Sequence, residues 1–241
     1  MRLVFWNCNM ALHRKADALL SERPDIAVIS ECARPDILEK RGETIFSAAS
    51  ALWMGTNPNK GLGVFAFNGY AVTRFDPFYP TLRFILPARV EGPRAFNLIA
   101  VWAQNASAGV TRKHQSGPLR RAFSKYRDFI TSGPTVIGGD WNSNRIWDKP
   151  GWRINHMAKV DILEGMGIRS AYHDVTGEPQ GEETTPTHYW RDRRIDGPTY
   201  HIDFVFAPND WLRGIREFSI GSFEDWVGNG LSDHVPITIE F

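Results

Sequence analysis

The chain has 241 residues, of which 42% are hydrophobic, and carries a formal net charge of +1. This length suits one large α/β domain or two small ones, and the apolar content is sufficient for a sizeable core. The balanced charge excludes a global electrostatic attraction to nucleic acid or membrane, so any binding of a polyanion requires a local basic patch.

The cysteine count and the N-terminus bear on the compartment. Cys8 and Cys32 are too few for a disulfide framework. The N-terminus lacks the regions of an export signal, and no window approaches the roughly 18 apolar residues of a membrane span. We therefore expect a cytoplasmic protein without membrane insertion, and nothing in the sequence indicates an obligate protein partner. Because no linker, repeat or low-complexity segment interrupts residues 1–241, we interpret them as one domain.

The first two predicted strands each end in a polar residue. Residues 2–8 have the pattern of a strand that ends near Asn7, residues 11–20 have helical spacing, and residues 25–31 form a second strand that ends at Glu31. A strand–helix–strand unit this short predicts a right-handed parallel crossover, which places Asn7 and Glu31 on the same edge of a sheet. Asn7 either caps a turn or faces a site, and Glu31 is either a solvated terminus or a ligand for a hard cation.

The next segment, residues 44–101, is rich in strand signals, and its closely spaced turn signals predict an antiparallel meander. Its last strand leads into Trp102, which the polar Asn105 follows. The basic segment 111–127 includes Arg112 and also carries an apolar helical stripe. This segment is either a solvated helix face or a surface that contacts the phosphate backbone of a nucleic acid.

Residues 134–142 combine a buried-strand pattern with a polar exit. β-Branched residues predict the strand, two glycines follow them, and Asp140 and Asn142 stand at the exit. A carboxylate at this position is where α/β enzymes tend to keep their chemistry, whereas the simpler interpretation is an Asx-turn that closes the strand. The loop that follows contains Arg145 and Trp147, which could contact phosphates and stack on bases or belong to a packed surface loop.

Two further polar strand ends lie in the C-terminal part. His201 and Asp203 share a face of a strand predicted over residues 200–206, and Asp233 and His234 begin the last element. Histidine beside acids indicates general acid–base catalysis or stabilisation of transition-state charge. Carboxylates and amides offer oxygen ligands suited to Mg²⁺ or Mn²⁺, whereas no cysteine and histidine set has zinc spacing and no Gly-rich phosphate loop is present.

Taken in order, these motifs resemble the endonuclease/exonuclease/phosphatase family, which includes exonuclease III-like abasic endonucleases and deoxyribonuclease I-like enzymes. The resemblance extends over essentially the whole chain. It implies an α/β fold, a four-layer sandwich of two central mixed β-sheets flanked by helices, in place of the simple crossover layer. The motifs that carry it are Asn7, Ser30-Glu31-Cys32, Gly139-Asp140-Trp141-Asn142, His201-Ile202-Asp203-Phe204 and Ser232-Asp233-His234-Val235-Pro236.

The resemblance implies a divalent metal, Mg²⁺ or Mn²⁺. Glu31 would be its main ligand. Asn7 would lie beside Glu31 and contact solvent at the metal or the phosphate, and Asp233 would lie near the metal.

The resemblance also implies catalytic roles. Asp140 would orient or deprotonate the attacking water, and Asn142 would hold the phosphate or align Asp140. His234 would stabilise the transition state or act as an acid or base, with its tautomer set by Asp203. His201 stands at a position where the family varies, and we include it among the candidate catalytic residues.

One position departs from the family pattern. Many relatives carry a Tyr or His after the corresponding strand, where it helps to protonate or hold the phosphate. Here the corresponding residue is Trp102, whose indole has only an N–H donor. Asn105 matches a polar position seen after that residue. Leaving-group protonation is therefore expected from solvent at the metal or from a loop residue such as His114.

These observations lead us to expect a metal-dependent phosphoesterase that cleaves phosphodiesters in nucleic acid, as an endonuclease or an exonuclease. The loops that carry Arg112, Arg145 and Trp147 favour this substrate. The near-neutral net charge favours an alternative, a phosphatase or phosphodiesterase acting on a small phosphoester, a phosphoinositide or a lipid headgroup. A third possibility is a non-catalytic binding module, and its support is Trp102.

Overall fold

The computed structural model of the protein describes residues 1–103, 117–190 and 193–241. Its strands are β1 (Arg2–Asn7), β2 (Ile26–Cys32), β3 (Ser50–Asn57), β4 (Lys60–Ala66), β5 (Ala71–Arg74), β6 (Ile85–Glu91), β7 (Phe96–Trp102), β8 (Thr135–Asp140), β9 (Ile168–Ser170), β10 (His188–Tyr189), β11 (Thr199–Tyr200), β12 (Asp203–Pro208), β13 (Glu217–Ile220) and β14 (Ile237–Glu240).

Most helices of the described ranges are short. The α-helices are α1 (Ala16–Ser21), α2 (Pro35–Lys40), α3 (Ile45–Ala48), α4 (Pro118–Lys125), α5 (Arg127–Thr131), α6 (His156–Glu164), α7 (Ala171–Thr176) and α8 (Asn209–Leu212). Leu12–Arg14 and Arg145–Trp147 form 3-10 helices, and Phe223–Gly228 forms a π-helical segment. Among the described residues, no helix is long and apolar enough to cross a membrane.

The strands assemble into two six-stranded mixed sheets. The first sheet has the order β13-β14-β1-β2-β4-β3, and the second has the order β5-β6-β7-β8-β12-β9. β10 and β11 form a separate two-stranded sheet, which is bridged to the chain before β14 through His188 and His234. The expected α/β sandwich with two central mixed sheets is therefore confirmed.

The alternation of side chains along β1 explains the layers of the first half. Leu3 and Phe5 lie in the apolar core that the two sheets share. Val4 and Trp6 point to the opposite face and join a second core with Leu12 and residues of the helices that follow. Because successive side chains of a strand point to opposite faces, a strand that is apolar at every position must be covered on both sides.

The second sheet follows the same rule. Leu98 and Ala100 of β7 face the shared core, whereas Ile99 and Val101 face an outer core. Phe123 is part of that outer core, together with residues of α5 and α6. The apolar stripe predicted within residues 111–127 is thus buried where the structure describes it, and its basic side chains are not part of this core.

The directions of the strands bring the candidate residues to one end of the sandwich. β1 and β2 are parallel, so Asn7 and Glu31 lie at the same end of the first sheet. β7 and β8 are parallel, so Trp102 and Asp140 lie together in the second. β12 runs antiparallel to β8 and begins at Asp203, which is the register partner of Asp140.

Two local predictions are corrected. The segment 44–101 is not one meander, because β3 and β4 pair in the first sheet whereas β5, β6 and β7 pair in the second. The chain changes sheets at the turn where Asn68 and Gly69 adopt positive φ angles. The helix predicted over residues 11–20 begins as an α-helix only at Ala16, because Ala11 has a left-handed conformation and a 3-10 turn intervenes.

Gly139 gives a direct test of this packing. It has φ +131°, and a Cβ at this position would run into the carbonyl oxygen of Val101 on the neighbouring strand. We expect Gly139→Ala to lower the free energy of unfolding by about 3 kcal/mol or more, since both the backbone and the strand pair must shift. Chemical denaturation of the purified variant measures this loss.

Gly151→Ala is the matched control. Gly151 also has a positive φ, +73°, but nothing lies within 4 Å of the added Cβ. It is expected to cost only about 1 kcal/mol. Equal losses for the two variants would show that the contact with Val101 is not the source of the strain.

Candidate active site

Asp140 is held at the end of β8 by three hydrogen bonds. Asn7 Nδ2 donates to its Oδ2 at 3.0 Å. The backbone N–H of Asn142 donates to Oδ1 at 2.9 Å, and Asn142 Nδ2 donates to Oδ2 at 3.1 Å. Asn142 has φ +46°, which turns the chain back towards the carboxylate. The Asx-turn considered from the sequence is therefore present, and it also orients a buried carboxylate.

Burial governs the electrostatics of this carboxylate. Asp140 is only 1% exposed. Burial, followed by the negative charge of Asp203, raises the pKa of Asp140 to about 7, against the opposing effects of His234 and the donated hydrogen bonds. A carboxyl group poised near neutrality is suited to accept a proton from water.

His234 lies beside a second buried carboxylate. Its Nδ1 is 2.8 Å from Asp203 Oδ2. Burial alone would lower the pKa of His234, but the charge and hydrogen bond of Asp203, with further contributions from Asp140 and Asp233, raise it to about 9. The imidazole is therefore cationic at neutral pH, and Asp203 fixes its orientation.

These three side chains converge. One ligand atom from each of Asp140, Asp203 and His234 lies within 4.8 Å of the others, and within the described ranges they are the set of acidic, histidine or cysteine side chains close enough to hold a metal ion. The three come from β8, the start of β12 and the segment before β14. The predicted convergence of distant strand ends is thus found for these residues, whereas their individual roles stay predictions.

Asn7 is fixed by the segment that carries His234. Ser232 Oγ donates to the backbone oxygen of Asn7 at 2.7 Å, and the backbone N–H of His234 donates to Ser232 Oγ at 3.1 Å. Trp6 Nε1 donates to the backbone oxygen of His234 at 2.9 Å. These contacts lock the end of β1 to the C-terminal segment and so set the direction of the Asn7 amide towards Asp140.

Glu31 lies at the same end of the sandwich but outside the three-residue cluster. It occupies a bulge of β2 and has φ +61°. Its Oε2 pairs with Lys60 Nζ at 2.9 Å, and Lys60 Nζ lies 5.6 Å from the centre of the Trp102 ring. The carboxylate of Glu31 thus faces a cation already, and its oxygens are of the kind that Mg²⁺ prefers. Lys60 carries no motif, so sequence reasoning missed it.

Asp233 and His188 form the outer side of the cluster. The Asp233 side chain is 29% exposed, and its Oδ2 lies 4.0 Å from His188 Nε2. The His188 ring centre is 4.4 Å from that of His234. Burial, and then the charge of His234, lower the pKa of His188 to about 4, so this imidazole is neutral. His188 comes from the two-residue strand β10, which is too short to give a sequence signal.

His201 is not placed as its pattern predicts. The strand begins at Asp203, because Thr187 Oγ1 accepts hydrogen bonds from the backbone N–H groups of Ile202 and Asp203. His201 therefore does not share a strand face with Asp203. Its Nδ1 lies 2.7 Å from the backbone oxygen of Thr185, and burial lowers its pKa. The partners of the His201 ring are thus different from those of the cluster.

Three of the remaining candidates, Arg145, Trp147 and Trp102, fall within the described residues. The 3-10 helix 145–147 carries Arg145, which donates to the backbone oxygen of Gln180, and Trp147, which is 45% exposed beside Tyr200. Trp102 is buried at 3% exposure. Asn105 and Arg112, like His114, fall outside the described residues.

Asn144 anchors the loop that carries Arg145 and Trp147. Its Nδ2 donates to Glu183 Oε2 at 3.0 Å and to the backbone oxygen of His201 at 2.8 Å. Glu183 Oε1 also lies 3.0 Å from His173 Nε2. This polar network secures the chain just beyond Asn142, and Asn144 and Glu183 give no local signal in the sequence beyond their polarity.

Comparison with solved structures identifies the architecture. Over 100% of this chain and 99% of the other, it resembles the 3′ phosphatase NExo from Neisseria bound to product DNA hairpin, with a TM-score of 0.70 and 18% identity. An AP endonuclease from Archaeoglobus fulgidus matches over 100% and 99%, with a TM-score of 0.69 and 14% identity. The AP endonuclease LMAP from Leishmania major matches over 99% and 86%, with a TM-score of 0.70 and 12% identity.

The chain has the fold of these nucleases. The likeness confirms, at the level of fold, the resemblance that the motifs indicate. No family model matches the sequence, and no curated protein matches it either. Sequence identities this low establish a common fold and no more. The activity of this chain depends on its own residues.

The Glu183 network predicts a pH-dependent contribution to stability. Burial would raise the pKa of Glu183, but hydrogen bonds from His173, Asn144 and the Gly181 N–H lower it to about 2 from an ordinary value of 4.5. A depressed acid pKa stabilises the folded state above pH 4.5, and this stabilisation is lost as the pH falls towards 2. We expect Glu183→Gln to lower the free energy of unfolding by about 2 kcal/mol at pH 7, with a gap that narrows between about pH 5 and pH 3.

Denaturation curves of the wild type and Glu183→Gln across this pH range measure the gap. Glu182→Gln is the control, because Glu182 is exposed and its loss is expected to change stability by less than about 0.5 kcal/mol. A gap that stays constant from pH 7 to pH 3 would rule out the charge of Glu183 as its origin.

Proposed function

We propose that this protein is a divalent-metal-dependent phosphoesterase that hydrolyses phosphodiester bonds in nucleic acid. The main support for the proposal is that Asp140, Asp203 and His234 are buried together, with one ligand atom from each within 4.8 Å of the others. They lie at the end of the sandwich where several strands end in polar residues. Solved proteins of the same fold include a 3′ phosphatase and AP endonucleases, which supports this reaction class.

In this mechanism Asp140 activates the attacking water. Three donated hydrogen bonds from Asn7 and Asn142 hold its carboxylate in place, and a pKa of about 7 lets it accept the proton of the water as the nucleophile attacks phosphorus. Asp140 and Asn142 thus act as one unit. The ester bond from phosphorus to the leaving oxygen then breaks, and that oxygen takes its proton from solvent.

His234 offsets the charge that develops on the phosphoryl oxygens. Its Nδ1 contacts Asp203, so Nε2 is the nitrogen that remains to face the substrate. Because Asp203 and Asp140 keep the imidazole cationic, a hydrogen bond from Nε2 to a phosphoryl oxygen would be charge-assisted. Such preorganised donors commonly supply the largest part of catalysis in phosphoryl transfer.

The residues at this end fit a hard dication. Glu31, Asn7 and Asp233 offer the oxygens expected for Mg²⁺ or Mn²⁺, and the pairing of Glu31 with Lys60 is in keeping with a position that attracts cations. When bound, the ion would act as a Lewis acid for the phosphoryl group.

Nucleic acid is the proposed substrate because of the loop beside Asn142. Arg145 and the exposed Trp147 lie on a 3-10 helix that the Asn144 network holds next to the cluster. A cation and an exposed aromatic ring together suit a phosphate and a base. Asn105 and Arg112 remain candidates for further substrate contacts.

A small phosphoester, a phosphoinositide or a lipid headgroup remains the second candidate substrate, and the near-neutral net charge of the chain favours it. A non-catalytic module is the third candidate. We also propose that residues 1–241 act as one catalytic domain, since both sheets contribute to the site, and that the protein works in a reducing compartment such as the cytoplasm. The free, buried thiols of Cys8 and Cys32 support the latter.

Asp140→Asn tests the mechanism. The amide keeps the size of the side chain but cannot accept the proton of the water. We expect the turnover number to fall by about 10²- to 10⁴-fold on the best substrate of a panel of abasic duplex, single-stranded DNA, RNA and a soluble phosphoester. Each substrate is assayed with Mg²⁺ and with a chelator, which should abolish hydrolysis.

Asp128→Asn is the control, because Asp128 is an exposed carboxylate on α5. It should retain full activity. Undiminished metal-dependent hydrolysis by Asp140→Asn would refute the proposed mechanism. Turnover of the soluble phosphoester alone would select the second candidate substrate.

Lys60→Met tests the metal position independently of activity. The Lys60 ammonium pairs with Glu31 at 2.9 Å, so a dication that binds Glu31 must displace it. We expect isothermal titration to show Mn²⁺ binding about 5-fold tighter in Lys60→Met, since the pair is partly exposed and of modest strength. Lys40→Met, which removes an exposed lysine near Asp36, should leave the affinity unchanged. Weaker Mn²⁺ binding in Lys60→Met would contradict a metal at Glu31.

A further inference from the structure

A cavity of about 800 Å³ lies at the same end of the sandwich as the catalytic cluster. It lies where the edge strand β3 of the first sheet meets the edge strand β5 of the second, and we call it the edge pocket. Its volume falls in the range of sites for small molecules. The side chains that matter for its chemistry are Arg74, Asp76, Phe78, Arg83 and Phe84.

Strand direction explains why the edge pocket adjoins the site. β3 runs antiparallel to β4, which begins at Lys60, so the C-terminal half of β3 lies at the catalytic end. β6 begins at Ile85, which pairs with Val101 next to Trp102, and β5 runs antiparallel to β6, so the chain beyond the end of β5 at Arg74 leads towards this end. The pocket and the cluster therefore lie at the same end of the sandwich.

Phe84 connects the pocket to the candidate metal position. Its ring centre lies 4.6 Å from that of Trp102, and its backbone oxygen accepts a hydrogen bond from the Trp102 N–H at 2.8 Å. Trp102 in turn lies under Lys60 Nζ, the partner of Glu31. Phe84 has φ +61°, a conformation that bulky side chains rarely adopt, so the fold holds this aromatic ring at the pocket wall against its backbone preference.

Trp53 lies on the edge strand β3 beside the pocket, but its indole packs against the outer core of the first sheet, whereas Leu52 and Met54 pack against the shared core. Trp53 Nε1 donates to the backbone oxygen of Cys32, the residue after Glu31, at 3.2 Å. Gly55 and Gly61 provide the space for its ring, since a Cβ at either position would collide with the indole. The indole is therefore fixed on the outer face of β3, where it ties this edge strand to the end of β2.

The charges of the pocket favour an anion. Arg74 and Arg83 are both exposed, and the Arg74 guanidinium lies 4.8 Å from the centre of the Phe78 ring. Asp76 is the opposing carboxylate, and its Oδ1 accepts a hydrogen bond from the Phe78 N–H at 3.1 Å. Two guanidinium groups beside the rings of Phe78 and Phe84 match a ligand with a planar ring and a phosphate.

We propose that the edge pocket binds one unpaired nucleotide of the substrate, next to the nucleotide whose phosphodiester is cleaved. The base packs against the aromatic walls, and its phosphate contacts Arg74 and Arg83. This inference rests on the proposed function. The nucleotide must be unpaired, because a base inside a duplex already has its faces stacked and its edge hydrogen-bonded. The pocket thus selects single strands or frayed ends over continuous duplex.

Binding in the presence of a chelator tests the pocket without catalysis. The probe is a fluorescein-labelled trideoxynucleotide, followed by anisotropy at fixed salt. We expect the double variant Arg74→Ala/Arg83→Ala to bind about 10-fold more weakly than the wild type, and Phe78→Leu about 5-fold more weakly. Circular dichroism and thermal melting establish that each variant is folded.

Arg213→Ala is the matched control. Arg213 follows α8 after the end of β12, which is the opposite end of the sandwich, and it is an exposed arginine that pairs with Asp210. Its loss should not change the affinity for the trinucleotide. An affinity unchanged in Arg74→Ala/Arg83→Ala would overturn the proposal, as would the same loss for a blunt duplex as for the trinucleotide.

The outcomes separate the pocket from the proposed function. If the wild type binds the trinucleotide through the pocket but hydrolyses none of the substrate panel, the proposed function fails and the pocket stands. If the enzyme cleaves nucleic acid while the pocket variants bind as the wild type does, the function stands and the pocket proposal is wrong.

Discussion

The site depends on two buried carboxylates that face each other across neighbouring strands. Asp140 and Asp203 are register partners on β8 and β12, and both are almost fully buried. Like charges so close and so far from water are unstable unless cations or donors compensate them. His234 supplies the cation, and the amides of Asn7 and Asn142 supply donors. The compensation that suits Asp140 to its proposed catalytic role is therefore the same requirement that the stability of the fold imposes at this position.

That requirement explains the order of the chain around the site. The compensating groups come from β1, from the turn after β8 and from the segment before β14, so the first and last parts of the chain must meet. The Trp6 and Ser232 contacts join them. Gly139, which lies directly beneath Asp140, allows β7 and β8 to approach closely enough for this geometry. The packing of β7 against β8 thus fixes the position of the Asp140 carboxylate.

The parts of the site that the sequence predicts are those with a local signal. Glu31 and Asp140 each end an apolar run, and parallel pairing then places such ends on one edge. The His201 and Asp203 pattern misleads, because a side chain, Thr187 Oγ1, takes the backbone N–H groups that a longer strand would use. The sequence gives no local signal for His188, because its position depends only on tertiary contacts.

Trp102 stands where the motif pattern led us to expect a Tyr or His, and its ring makes contacts of its own. A tryptophan cannot give a phosphate the proton of a hydroxyl or imidazolium, but its broad ring lies between Lys60 on one side of the site and Phe84 on the other. The Glu31 and Lys60 pair is thereby connected to the aromatic edge of the sandwich. Trp102 thus offers a rigid surface on this side of the site, where the motif pattern led us to expect a proton donor.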